Sequence, residues 1–231
     1  MEYINLGSGI VNAYLISCGD NYALVDTGYP FEWNGFLKRA KKNNITLDKI
    51  KYVIITHIHA DHVGFLKKLL DASGAKLIYN TLDKERLKSG RNVEDVYISS
   101  KGNLFSSRIS VEFRRFTQFF EAVDAVDAID VSTQPLREFG IEFFSFKGHT
   151  SNDVCIKVGT DLFCGDLCMN GTGAVNHSPM WIEDNEALSD SWEQLLDLGC
   201  DRLLPAHGKP FTVKDLSECI PIQKTMRIYK L

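Results

Sequence analysis

Hydrophobic and polar positions along the chain alternate between the period of strands and the period of helices. The segment "NAYLISCGDNYALVDTG" (12–28) predicts two short strands around a Gly-Asp-Asn turn, and "KYVIIT" (51–56) predicts a buried strand. A helix between them is predicted by apolar residues at helical spacing, Trp33, Phe36, Leu37 and Ala40. A second helix, with Asp61 as its N-cap, is predicted by Val63, Leu66, Leu69 and Leu70. Strands and helices that alternate in this way favour an α/β fold.

The order of these elements repeats in the second half of the chain. Residues 4–26 aligned with 144–166 share the turn glycines Gly19 and Gly159, and the aspartates Asp26 and Asp166 that end each hairpin. A helix follows (Leu188, Trp192, Leu195, Leu196), and then the strand "DRLLPAH" ends in His207, as "KYVIITH" ends in His57. Two halves packed face to face would bring both histidines to one rim. Unrelated β-hairpins also look alike at this level, so coincidence is the alternative.

Residues 80–135 fit neither half and are interpreted as a partly helical, lid-like insertion within one domain that spans 1–231. Between residues 81 and 120 there are eight basic and five acidic residues, a balance that is typical of a solvated surface rather than a binding patch. The insertion contains five phenylalanines, Phe105, Phe113, Phe116, Phe119 and Phe120. With Met180 and Trp181 of a later loop, they are interpreted either as the roof of a pocket or as part of the core.

Composition narrows the class of protein further. A net charge of −4 over 231 residues gives no reason to expect a nucleic-acid partner, and no apolar run approaches the length of a membrane span. Without a secretion signal, and with six cysteines but no CxxC pair, the chain is interpreted as cytoplasmic with reduced thiols. A membrane or nucleic-acid partner is therefore not expected. The sequence does not indicate an oligomeric state.

The strongest chemical signal is "VIITHIHADHVGFL" (53–66), which places three of the six histidines and an aspartate together after a buried strand. In an extended segment, residues i and i+2 project to the same side, so His57 and His59 can chelate one ion. Asp61 and His62 lie at the start of the predicted helix and point away from that pair, which suits a second ion. Such a polar cluster would be costly as core filling.

The remaining ligands are expected at other strand ends. His149 follows "IEFFSF", Asp166 ends the second hairpin, and His207 ends "DRLLPAH", which leaves only His177 outside a strand-end context. Neutral imidazoles with carboxylates suit zinc, and also iron or manganese. The sequence thus predicts two divalent transition-metal ions, with zinc preferred.

In these motifs the chain resembles the metallo-β-lactamase superfamily. The motifs occur in the order of that family, as "VDTG" (25–28), "THIHADH" (56–62), "GHT" (148–150), "GD" (165–166) and "PAHG" (205–208). The resemblance implies an αββα four-layer sandwich with a dinuclear site at one rim. It implies one metal on His57, His59 and His149, a second on Asp61, His62 and His207, and Asp166 bridging the two. It gives Asp26 a supporting role without metal contact.

Two such cations would lower the pKa of a bridging water enough to provide hydroxide at neutral pH, and would stabilise charge that develops on the substrate. Asp61, besides binding metal, would orient that hydroxide. His177, on the loop "GTGAVNHSPMW", is a candidate proton donor to the leaving group. The expected activity is metal-dependent hydrolysis without a serine or cysteine nucleophile.

Departures from named branches of the family narrow the substrate. His62 and Asp166 depart from the pattern of true β-lactamases, and His59 stands where flavodiiron redox proteins usually carry glutamate. The short stretch after His207 argues against a glyoxalase II-type thioesterase of glutathione, and the weakly basic insertion argues against a nuclease. What remains resembles the small lactonase, esterase and phosphodiesterase members, which implies a small-molecule substrate. Because an aromatic roof would favour an apolar substrate body, an ester, lactone or thioester is the favoured substrate, and a phosphodiester is the alternative. A redox protein and a non-catalytic binding module are less favoured.

Overall fold

The structure is a computed structural model that describes residues 3–92, 97–98 and 118–230. The strands are β1 (Tyr3–Asn5), β2 (Tyr14–Cys18), β3 (Asn21–Val25), β4 (Ile50–Ile54), β5 (Lys76–Tyr79), β6 (Tyr97–Ile98), β7 (Ile129–Asp130), β8 (Ile141–Phe146), β9 (Asp153–Val158), β10 (Asp161–Gly165), β11 (Trp181–Ile182), β12 (Arg202–Pro205), β13 (Phe211–Thr212) and β14 (Tyr229–Lys230). The α-helices are α1 (Trp33–Lys42), α2 (Ala60–Val63), α3 (Leu66–Ser73), α4 (Lys84–Ser89), α5 (Asn185–Leu196) and α6 (Val213–Lys224).

Two mixed sheets repeat one local topology. The first has the order β1-β2-β3-β4-β5-β7 and the second the order β13-β12-β10-β9-β8. In the first sheet an antiparallel hairpin of β2 and β3 continues into the parallel strand β4, and in the second the hairpin of β9 and β10 continues into the parallel strand β12. The predicted repeat in element order is therefore present in the structure.

The alternation of side chains along the strands builds four layers. In β2, Leu15 packs with Phe36 of α1 and Leu69 of α3, whereas its neighbours Tyr14 and Ile16 pack between the two sheets. A third cluster lies between the second sheet and helices α5 and α6. Each fully buried large apolar side chain contributes roughly 1.5–3 kcal/mol to these interfaces. The three apolar clusters thus separate a helix, sheet, sheet, helix order, which confirms the predicted αββα sandwich.

Helix α1 spans the residues that its apolar pattern predicted, but the helix predicted after the histidine cluster is interrupted. It forms two pieces, α2 and α3, separated at Gly64 and Phe65. A β-carbon at Gly64 would lie 2.4 Å from the carbonyl oxygen of Gly28, so the chain there packs backbone against backbone. His59 is the N-cap of α2, and the prediction that Asp61 caps the helix is wrong. The carboxylate of Asp61 contacts His207 instead.

The predicted insertion at 80–135 is helical at α4, and its end joins the first sheet because β7 pairs in parallel with β5. Strand β6 lies between β11 and β14 in a small third sheet that the sequence did not predict. Phe120 is buried in the cluster under the first sheet, and Phe119 is half exposed. Neither lines the pocket described below. Phe105, Phe113 and Phe116 fall outside the described residues.

All six cysteines are free thiols, and five of them are buried, in agreement with the prediction of reduced cysteines. In the part of the chain that the structure describes, no helix is both long and apolar enough to cross a membrane.

Asp130 joins the end of the insertion to the segment that follows β5, and its titration gives a stability test. Burial acts to raise its pKa, but hydrogen bonds from Ser132 and Thr81 lower it to about 2. Because the folded pKa lies below the unfolded one, this carboxylate stabilises the fold above about pH 4, and its contribution is lost as pH falls through the folded pKa.

We expect Asp130→Ala to lower the free energy of unfolding by about 1 kcal/mol at neutral pH, a typical loss for a capping carboxylate. The difference from the unmodified protein should shrink between about pH 4 and pH 2. Urea denaturation at several pH values measures both quantities, with Asp127→Ala, at an exposed position nearby, as the control. A difference that does not change with pH would contradict this account.

Candidate metal centre

The two sheets bring their carboxyl-terminal strand ends to one edge, and the predicted site residues meet there. The residues come from the ends of β4, β8, β10 and β12 and from helix α2; they are His57, His59, Asp61, His62, His149, Asp166 and His207. Within the described residues, the side chains that could hold a metal ion form overlapping groups of three drawn from this set.

The first group consists of three buried imidazoles. His57 Nε2 lies 3.0 Å from His59 Nδ1, and His149 Nε2 lies 3.1 Å from the former and 3.2 Å from the latter. Nitrogen ligands at zinc–nitrogen distances of 2.0–2.1 Å around a tetrahedral ion are separated by about 3.3 Å. The three nitrogens are therefore spaced like ligands of one small cation.

The second group combines imidazoles with carboxylates. His207 Nε2 lies 3.2 Å from Asp61 Oδ2 and 3.4 Å from Asp166 Oδ2. His62 Nε2 lies 3.8 Å from Asp61 Oδ2 and 3.6 Å from Asp166 Oδ2. Asp166 Oδ2 is also 3.8 Å from His149 Nε2. Asp166 therefore lies between the two groups, where one carboxylate can reach both.

Hydrogen bonds on the far side of three rings turn their other nitrogen toward the centre. His62 Nδ1 is bonded to Asp26, His149 Nδ1 to the carbonyl of Trp181, and His207 Nδ1 to the carbonyl of Ile10. A ring that donates from Nδ1 presents the lone pair of Nε2, the form that ligates a metal.

Two buried atoms in the cluster have no hydrogen-bond partner among the described residues. They are His62 Nε2 and Asp166 Oδ1. A buried polar atom left unpaired costs about 1–3 kcal/mol. A metal ion at the centre would give both atoms a partner, so the residues present fit a dinuclear metal centre.

Asp26 holds this arrangement from behind. Its Oδ1 accepts the backbone N–H of Thr56 at 2.9 Å, and its Oδ2 accepts the Thr56 hydroxyl at 2.8 Å and lies 2.9 Å from His62 Nδ1. Thr56 Oγ1 in turn lies 3.1 Å from His57 Nδ1, so it can accept the ring proton. One buried carboxylate thereby orients an imidazole in each group. The supporting role expected for Asp26 agrees with these contacts.

The protonation states also suit ligands. Burial, together with neighbouring imidazoles, holds the pKa of His57 well below its usual value and lowers the pKa of His59 to about 3. Burial acts to raise the pKa of Asp61, but His62 and His207 lower it to about 2. Neutral imidazoles and ionised carboxylates are the forms that bind metal.

His62 and His207 behave in the opposite way in the metal-free protein. Burial acts to lower both pKa values, but Asp26 raises that of His62 well above its usual value, and Asp166 raises that of His207 to about 10. The carboxylates here require compensating positive charge. Protons provide it when no other cation does.

A pocket of about 200 Å³ opens over the cluster. Asp61, His149, Asp166 and His207 form its floor, and its walls are largely apolar, formed by Ile10, Tyr29, Met169, Met180 and Trp181. Met180 and Trp181 line the pocket, in agreement with the alternative that these two residues roof a pocket rather than fill the core. Tyr29 was missed, although it directly follows the "VDTG" motif. Ile10 and Met169 carry no local sequence signal.

His177 is placed elsewhere. Its ring stacks on Phe211 at a centroid distance of 3.9 Å, and its Nδ1 lies 3.0 Å from the carbonyl oxygen of Met169. It is not among the residues that line the pocket. The candidate proton donor therefore packs against Phe211, outside the lining of the pocket.

Helix α4 of the insertion supports the loop that carries His149. Arg86 Nη1 lies 3.0 Å from Glu183 Oε1, and Arg86 Nη2 donates to Ser151 Oγ at 2.9 Å. The backbone N–H of Glu183 donates to the carbonyl of Gly148 at 2.9 Å. The insertion is thus tied by charge to the segment on both sides of His149.

Residues 6–207 match the sequence profile of the metallo-beta-lactamase superfamily. The chain belongs to this superfamily. Among its curated members, the chain is 26% identical over 196 residues to metallo-beta-lactamase domain-containing protein 1 of Xenopus laevis, a match that covers 82% of the chain and 67% of that protein. It is 27% identical over 201 residues to the beta-lactamase-like protein 2 homolog of Caenorhabditis elegans, covering 85% of the chain and 55% of that protein.

Among solved superfamily structures, the di-iron-bound form of TTHA1623 aligns with a TM-score of 0.67 and 22% identity, covering 96% of the chain and 100% of that protein. This likeness establishes the fold. The chain spans about two thirds of the Xenopus protein and about half of the Caenorhabditis protein, so their sequence similarity concerns a shared domain.

The support that Asp26 gives to the cluster can be tested by Asp26→Asn. The amide can still accept from the backbone of Thr56, but its nitrogen cannot accept from His62 Nδ1 and the Thr56 hydroxyl. We expect the affinity for the more weakly held divalent ion to fall by about ten- to a hundredfold, the usual effect of losing such a partner. Titration against a chromophoric chelator measures it, with Asp20→Asn in the exposed β2–β3 turn as control. Equal affinities in the two variants would contradict this role.

Proposed function

We propose that the protein is a metal-dependent hydrolase with two divalent transition-metal ions. His57, His59 and His149 hold the first ion, Asp61, His62 and His207 hold the second, and Asp166 bridges them. The observation that carries this proposal is the meeting of two donor groups at Asp166 Oδ2, which lies 3.4 Å from His207 Nε2 and 3.8 Å from His149 Nε2.

The donor set favours borderline metals. Imidazole nitrogens with carboxylate oxygens suit zinc, iron and manganese, and the absence of thiolates among the seven ligands removes a preference for softer ions. TTHA1623, which shares the fold, is known in a di-iron-bound form. We propose zinc first, with iron and manganese as the alternatives.

Two such ions supply a strong nucleophile from water at neutral pH and stabilise negative charge that develops on the substrate. The side chains of the chain then have separate tasks. Asp61 lies on the pocket floor with an ionised carboxylate, so it can accept a hydrogen bond from the attacking water and orient it. The apolar walls exclude bulk water and strengthen these interactions.

The pocket walls favour an acyl substrate. Ile10, Met169, Met180 and Trp181 surround the cluster with apolar surface, and burying a substrate's apolar body there contributes roughly 25 cal/mol per Å². An ester, lactone or thioester meets that requirement. A phosphodiester is the alternative, and it would require additional cationic partners; the candidates Arg114 and Arg115 lie outside the described residues.

The first test is metal content. Protein prepared without chelator should carry about two transition-metal ions per chain, because seven ligand positions are present at one site. Elemental analysis by mass spectrometry gives the number and the identity of the ions. Protein that contains no metal, and takes up none from zinc, iron or manganese solutions, would remove the basis for the proposed hydrolase.

The second test is Asp61→Ala. Removing a ligand of one ion together with the group that orients water should lower kcat/KM by about a hundredfold or more. Circular dichroism should show an intact fold, since Asp61 does not cap α2. Asp71→Ala is the matched control, because that carboxylate is 62% exposed on α3. Normal turnover by Asp61→Ala would show that the second ion is assigned to the wrong residues.

The third test separates acyl from phosphoryl chemistry. One metal-loaded sample should be assayed with acyl lactones, p-nitrophenyl esters and thioesters, and with bis-p-nitrophenyl phosphate and short nucleotides. We expect kcat/KM to be higher for the acyl compounds because the pocket walls are apolar. Cleavage confined to the phosphate compounds would favour the phosphodiesterase alternative.

A further inference from the structure

A second cavity adjoins the pocket over the metal centre. It measures about 690 Å³, and it shares Ile10, Thr172 and His207 with that pocket. Its other walls come from the loop before β2, the loop after β10 and the turn after β12. Because the two cavities share three wall residues, they lie side by side. We call this second cavity the side groove.

The side groove is built from fixed backbone. Asn12 Nδ2 donates to the carbonyls of Pro205 at 2.9 Å and Gly208 at 2.8 Å, which joins the first loop to the turn after β12. The N–H of Asn170 donates to the carbonyl of His207 at 2.9 Å. Gly208 has a φ of +96°, and a β-carbon there would lie 2.0 Å from the carbonyl oxygen of Asn170. The walls are therefore set before any ligand binds.

The charges of the two cavities differ. The floor of the metal pocket carries Asp61 and Asp166, whereas the lining of the side groove contains no carboxylate. Lys209 is the one lysine or arginine in the lining of the side groove. It is exposed and has no ion-pair partner among the described residues. Thr172, an exposed residue with a hydroxyl, lines both cavities. The side groove thus offers one uncompensated positive charge and polar groups.

Lys209 lies close to the centre along the chain. It follows His207 by two residues, and two residues span at most about 7 Å of backbone. The flexible side chain of Lys209 can therefore reach a substrate anion that lies only a few bonds away from a scissile bond beside His207. The apolar walls of Met180 and Trp181 line only the metal pocket.

We propose that the side groove binds an anionic arm of the substrate through Lys209. The substrate would then be an ester or thioester with an apolar acyl body in the metal pocket and a carboxylate or phosphate on the opposite side of the scissile bond. This inference rests on the proposed acyl hydrolysis for the placement of the scissile bond, and the binding measurement below is independent of turnover.

The activity test uses hexanoyl thioesters that differ only in the end of the thiol arm: mercaptopropionate, mercaptoethyl phosphate and the neutral mercaptopropionamide. We expect kcat/KM for both anionic compounds to exceed that for the amide by about fivefold, the size typical of a partly exposed ion pair. Lys209→Met should abolish that difference. Lys209→Arg should keep it. Lys68→Met, at an exposed lysine on α3, is the matched control.

The binding test uses the thioether in which a methylene replaces the thioester carbonyl of the mercaptopropionate compound. Calorimetry on the metal-loaded protein should show about fivefold weaker binding to Lys209→Met than to Lys68→Met. The corresponding amide should bind both variants equally. If the carboxylate instead contacted the metal directly, the acid as well would bind both variants equally. In the activity test, a loss for the carboxylate arm alone, or for the phosphate arm alone, identifies which anion the side groove accepts.

The two proposals fail in different ways. If Lys209→Met binds the thioether acid as tightly as the control, the side groove does not hold the anion, even if every thioester is hydrolysed. If no thioester is hydrolysed but binding still depends on Lys209, the acyl activity is wrong and the anion site stands.

Discussion

The buried carboxylate of Asp26 is the contact on which the centre depends. It lies at the end of β3 with a φ of +59°, a backbone conformation that costs energy for a residue with a side chain. Its bonds to Thr56 and His62 fix one imidazole directly and another through the threonine hydroxyl. Because both donor groups are oriented through this carboxylate, the spacing of the cluster depends on protein contacts behind the rings.

Much of this arrangement could be predicted because it depends on local patterns. The spacing of His57, His59, Asp61 and His62 after a buried strand is visible in the chain, and a strand-end context marked His149, Asp166 and His207. The structure brings all seven together. Alternating apolar positions indicated an α/β fold, and the four layers were implied by the resemblance of the motifs to the superfamily.

What could not be predicted depends on packing between distant segments. The helix is interrupted at Phe65, which has non-helical backbone angles, beside Gly64, which packs against the backbone of Gly28 more than thirty residues earlier. Asp61 has the sequence context of an N-cap, yet its carboxylate contacts His207, which comes from the other half of the chain. His177 was a candidate proton donor on a loop, but its ring stacks on Phe211. Periodicity within a short window carries no information about such partners.

The repeated topology has a consequence for how the molecule holds together. One half supplies His57, His59, Asp61 and His62, and the other supplies His149, Asp166 and His207, so neither half alone contains a complete set of donors. A cation at this seam acts as a non-covalent cross-link between distant parts of the chain, and its binding free energy adds to the cohesion of the two sheets. Separation of the sheets would pull the donors of a bound ion apart, whereas release of the ion leaves the apolar cluster between the sheets in place.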